Sequence, residues 1–110
     1  MLRLATVVLM MAVTTPVFAS DFDGLIEEVI VGANTLQPGG TRISIRVAGG
    51  HGSPCANTVW FAYEYGETGA GKAWTAVAMA AKLVGQRVRI EGTGTCDQHS
   101  VEVVAAMRLL

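Results

Sequence analysis

The sequence predicts a mainly β domain with one helix, in the order three strands, helix, two strands. Three observations carry this. Residues 42–47 and 87–91 alternate cleanly between apolar and polar side chains. Residues 58–65 form a run rich in aromatic and β-branched types. Residues 72–84 hold no Gly or Pro, carry five alanines, and meet Gly85 where a helix-stopping glycine belongs.

Taken in chain order, the first segment reads as an export leader. Arg3 precedes an uncharged run from Leu4 to Val13, followed by Pro16 and the small-residue pattern Val17-Phe18-Ala19. The run is too short to cross a bilayer, which needs about 20 apolar residues. Cleavage is expected after Ala19, leaving residues 20–110 as one domain with no membrane span. Ser20 to Gly24 is acidic and expected to be loose. Leu25 to Val31 is β-rich, but Glu27-Glu28 disturbs its alternation and predicts an irregular or bulged strand. Gln37-Pro38-Gly39-Gly40 signals a turn. In the next strand Ile43, Ile45 and Val47 face inward, with Arg42, Ser44 and Arg46 outward. After the loop Gly49–Pro54, the aromatic strand places Val59, Phe61, Tyr63 and Tyr65 on one face and Trp60, Ala62 and Glu64 on the other. The helix offers Ala73, Val77, Ala80, Ala81 and Val84 to the core, with Trp74 at the border and Lys72, Thr75 and Lys82 in a polar sector. The fourth strand, Arg87 to Glu91, gives way to a turn over Gly92–Asp97. In the last, Val101, Val103, Ala105, Met107 and Leu109 share one face, opposite Glu102 and Arg108.

This order is that of the OB-fold, a five-stranded Greek-key barrel whose helix lies between the third and fourth strands. A plain sandwich with a helix on one face is the rival. Residues 20–110 carry seven Lys and Arg against nine Asp and Glu, a net of −2, which speaks against a nucleic-acid partner. Cys55 and Cys96 read as a disulfide in an exported domain, periplasmic or secreted. The loop so closed corresponds to about 3–4 kcal/mol of chain entropy. A Cys2His2 zinc set from His51, Cys55, Cys96 and His99 is the alternative for the same residues.

The second half of the chain resembles a known family. Cys55, the strand Val59-Trp60-Phe61, Gly71-Lys72-Ala73-Trp74, the run Ala80 to Ile90, and Gly92-Thr93-Gly94-Thr95-Cys96 are similar to secreted OB-fold proteins related to the B subunit of subtilase cytotoxin and other pentameric toxin B subunits. The resemblance implies a ring of subunits, a cell-surface glycan as ligand and an exported protein as partner. No sugar-contacting residue carries over, because the first half matches only in its strand pattern.

No nucleophile elbow, phosphate loop or paired catalytic carboxylates occur, so the chain is not expected to be an enzyme or to hold a cofactor. Ser53, His51, Asp97 and His99 are the loop groups an enzyme would have to use. Trp60 and Tyr65 are the candidate ligand-stacking residues. Ala76, Met79 and Leu83 would stay bare on a helix that is apolar over most of its circumference, and are the candidate self-association surface. The expected function is an exported glycan- or protein-binding module that self-associates. A periplasmic structural or inhibitory protein is the alternative.

Overall fold

The computed structural model describes residues 19–33, 40–66 and 68–110. The expected leader as far as Phe18, and the turn signal at Gln37–Gly39, lie outside those residues. The described residues are mainly β with one helix: β1 (Asp21–Gly24), β2 (Ile26–Ala33), β3 (Thr41–Val47), β4 (Asn57–Glu64), α1 (Gly69–Val84), β5 (Val88–Cys96) and β6 (Val101–Leu109). The strands form one six-stranded mixed sheet in the order β1-β5-β6-β4-β3-β2. Only the β4–β6 pairing is parallel.

That sheet corrects the expected five-stranded barrel, and the extra strand is the segment expected to be loose. Asp21 to Gly24 pairs antiparallel with β5, from Asp21↔Glu91 to Gly24↔Val88. Its sequence is a short alternation. Phe22 is buried, while Asp21 and Asp23 point to solvent. Arg89 grips both Asp23 oxygens at 2.6 Å, which holds that carboxyl below its ordinary value. Leu25 alone separates β1 from β2, so the two ends of the strand order are neighbours in the chain.

The central strands follow their alternation. Ile43, Ile45 and Val47 of β3 are buried, as are Phe61 and Tyr63 of β4. Val59 and Tyr65, at the ends of the aromatic strand, emerge into solvent. The β2 register shifts between Ile26 and Glu28, the irregularity expected at Glu27-Glu28. Two other expectations fail for one reason, broken register. β5 does not end at Glu91 but continues to Cys96 through shifts at Glu91/Gly92 and Gly92/Cys96. In β6 the pairing jumps from Glu91↔Ala106 to Gly92↔Val104, so Ala105 is an extra residue that swaps the faces. Met107 is buried after the swap, and Glu102 and Val104 are buried before it.

Helix α1 starts three residues earlier than expected, at Gly69, and stops at Val84, where Gly85 adopts φ 68° and donates its N–H to Ala81. Its buried face is rotated from the expected one: Gly71, Ala78 and Ala81 are buried, whereas Ala73, Ala80 and Val84 are exposed. Two contacts fix the rotation. Trp74 meets Tyr63 edge-on at 5.2 Å. Thr75, expected in the polar sector, donates to the Gly71 carbonyl and accepts from the Tyr63 hydroxyl at 2.7 Å. Burial pushes the Tyr63 hydroxyl pKa up, partly offset by that hydrogen bond. Gly71 itself is required by crowding, since a Cβ there would lie 2.5 Å from the Tyr65 carbonyl oxygen.

Candidate functional site

Cys55 and Cys96 are disulfide-bonded, with Cα atoms 5.6 Å apart across 41 residues. The bond ties the approach to β4 onto the β5–β6 turn, and the backbone continues the tie: Asn57 N donates to Ser100 O at 3.1 Å. The sulfurs are spent on each other, so the Cys2His2 zinc set is not formed. Among the described residues no group of three or more His, Cys, Asp or Glu is arranged to hold a metal.

Beside this tie the outer sheet face opens into a cleft of about 220 Å³ lined by Ile30, Arg42, Ser44, Asn57, Trp60, His99 and Val101. Four strands and a turn supply it. β2 gives Ile30, opposite Ser44 of β3. β4 brings Asn57 and Trp60, β6 brings Val101, and the turn between β5 and β6 brings His99. Asp97 shapes that turn: its Oδ1 accepts the N–H groups of His99 at 2.8 Å and Val101 at 3.1 Å, an Asx-type turn. Its Oδ2 accepts from Arg42 Nη2 at 2.6 Å, and Arg42 Nη1 donates to Ser44 Oγ at 2.6 Å. Burial pushes the Asp97 carboxyl up, but the hydrogen bonds from Arg42, Val101 and His99 outweigh it and the net shift is downward. Glu64 lies 3.7 Å from Arg42 Nε. The guanidinium is therefore balanced by carboxylates and presents hydrogen-bond donors more than net charge. The arrangement combines an indole face, two apolar side chains and a few polar groups with fixed directions, the mixture that small-molecule sites use.

Of the two candidate stacking residues, Trp60 lines this cleft and Tyr65 does not. Tyr65 follows the end of β4, with φ 57°, and its backbone is bonded to Thr41 and Thr68. On α1, Ala76 is exposed, Met79 is 45% exposed and Leu83 is 82% exposed. Val84, expected inward, joins them at 72%.

Behind the cleft lies a polar cluster that the sequence reading missed. Glu102, assigned to the outer face of its strand, is 0% exposed. Its Oε2 accepts the backbone N–H groups of Ser20 and Gly94, both at 3.1 Å, and its Oε1 accepts from Ser20 Oγ at 2.6 Å. Gly92 makes the space, because a Cβ at that position would overlap the carboxylate. His51 completes the cluster. Its ring stacks on Phe61 at 3.7 Å, Nδ1 contacts Ser20 Oγ at 2.7 Å, and Nε2 contacts the Trp60 carbonyl at 2.8 Å. A carbonyl only accepts, so Nε2 carries the hydrogen. The signal for this cluster was present in Gly92-Thr93-Gly94, a gap in one strand where a neighbouring Glu can be housed.

The trio of Ser20, His51 and Glu102 has the residue types of a hydrolase but not its order. Hydroxyl and carboxylate both approach Nδ1, Nε2 is spent on a carbonyl, and the His51 and Glu102 side chains are fully buried. Ser53 accepts the Cys55 N–H instead of pairing with His51. No protein-family model matches this chain, and no curated protein or solved structure matches it.

Proposed function

We propose that this chain is an exported OB-type binding module that takes a sugar unit of a glycan in the Trp60 cleft and self-associates through the outer face of α1. The observation that carries the reading is the cleft itself. An indole stands beside Arg42, Ser44, Asn57 and His99 in a space the size of one small ring system. Apolar faces of sugar rings stack on indoles, and their hydroxyls need directional donors and acceptors of this kind. The strand order supports the OB-type reading. Consecutive segments β1 and β2 serve both ends of the sheet, and the parallel β4–β6 pairing sits between them. The disulfide fits an oxidising destination, periplasmic or secreted. Among the described residues no helix is long and apolar enough to cross a membrane.

Met79, Leu83 and Val84 on one helix form an exposed apolar strip that a second copy would cover, at about 1.5–3 kcal/mol per fully buried side chain. The same strip also favours the alternative, a structural or inhibitory role in which another exported protein covers it and the cleft is idle. A glycan array probed with the disulfide-bonded protein separates the two. Binding that is lost in Trp60→Ala and kept in Tyr65→Ala supports the sugar cleft. A blank array, with one exported protein bound through α1, supports the alternative.

A further inference from the structure

The residue expected to begin the mature chain is also the one that reaches the buried carboxylate. Three polar atoms of Ser20 are engaged by the domain: N and Oγ with Glu102, and O with Gly92 N at 2.8 Å. Ser20 is 6% exposed, while Ala19 before it is exposed. The cluster is also short of a donor. Ser20 Oγ sits within hydrogen-bond distance of both His51 Nδ1 and Glu102 Oε1, and one hydroxyl hydrogen cannot serve both. Glu102 accepts three hydrogen bonds, from Ser20 N, Ser20 Oγ and Gly94 N, but none of these donors is charged, and a buried carboxylate calls for a cation beside it.

We propose that cleavage after Ala19 supplies it, and that the freed α-ammonium of Ser20 forms a buried ion pair with Glu102 that completes the core. In that step a leader peptidase adds water across the Ala19–Ser20 bond. The water oxygen goes to the Ala19 carbonyl carbon, leaving a carboxylate on the leader. Both water hydrogens end on the Ser20 nitrogen, which becomes an ammonium with two more N–H donors than the peptide had. That nitrogen already lies 3.1 Å from Glu102 Oε2, so no rearrangement is needed. The leader then acts on folding as well as on address, because the core is finished only in the processed chain. The proposal rests on the export reading, and its test separates the two.

The full chain is expressed with its own leader in a Gram-negative host and recovered from the exported fraction. Intact mass identifies the first residue. The α-amine of the native protein is then acylated at neutral pH and compared with the same protein in urea. The expected result is a chain beginning at Ser20 whose α-amine reacts at least ten-fold more slowly when folded. A chain that keeps Ala19 is expected to melt about 5 °C or more lower than the Ser20 chain, and this difference is expected to vanish in the Glu102→Gln background. A first residue other than Ser20 overturns the proposal together with the expected cleavage. A Ser20 chain whose folded α-amine reacts as fast as in urea, or which melts with the Ala19 chain, overturns the ion pair and leaves export standing. Should Glu102→Gln fail to fold, the labelling rates and the Ala19 comparison decide alone.

Discussion

Glu102→Ala tests whether the buried cluster is central to stability. The substitution removes the acceptor of the Ser20 and Gly94 N–H groups and of the Ser20 hydroxyl. The hydroxyl can still donate to His51, so two buried N–H groups are orphaned. Each costs about 1–3 kcal/mol, giving a loss of about 2–6 kcal/mol before any cavity is counted. A domain of this size is stable by about 5–14 kcal/mol, so the loss runs from about a seventh of the whole to all of it. Urea unfolding followed by circular dichroism measures it directly. With a slope of about 1 kcal/mol/M, the midpoint falls by about 2 M or more. The control is Glu27→Ala, which breaks only the exposed contact with Arg46 and is expected to cost under about 0.5 kcal/mol. A Glu102→Ala protein that folds and unfolds within about 0.5 M of wild type would show that the cluster contributes little to stability.

Other outcomes follow from the same structure. Replacing both Cys55 and Cys96 with Ser is expected to cost about 3–4 kcal/mol, read from urea midpoints. Gly92→Ala is expected to destabilise more than Gly52→Ala, because only the first would overlap the Glu102 carboxylate. Asp97 gives a pH dependence. Its folded pKa lies below the ordinary 3.8, so its contribution is full above that value and is lost as pH falls through the lower folded value. Asp97→Asn should therefore flatten the loss of melting temperature as pH falls below the ordinary carboxylate value of about 4. Leu83→Glu is expected to abolish self-association in analytical ultracentrifugation and leave the melting temperature within about 3 °C, since Leu83 is 82% exposed.

Much of the fold was legible because local chemistry and tertiary context agree. The alternation in β3, the aromatic centre of β4, the Gly85 stop and the cysteine pair all follow from short patterns that nothing overrides. The misreadings share a cause. Bulges in β5 and β6 change which face a residue takes, and a one-residue slip inverts every later assignment. Glu102 was placed outside by an alternation that Ala105 interrupts. The helix was rotated for a related reason: Trp74 and Thr75 answer to Tyr63, a partner on another element that no helical wheel contains. Asp21–Gly24 was too short and acidic to read as a strand, yet one buried phenylalanine and a free edge on β5 suffice. Of the candidate site, Trp60 could be read from type and position. The rest of the cleft is assembled from four strands and a turn, so no local segment announces it.

Occupancy of the Trp60 cleft is read by an NMR titration of the disulfide-bonded Ser20–Leu110 protein with the glycans bound on an array. A sugar seated in the cleft shifts the Trp60 indole N–H and the amides of Arg42, Asn57 and His99 and leaves the Trp74 indole unmoved. No shifts with any glycan, or shifts confined to α1, would contradict that occupancy.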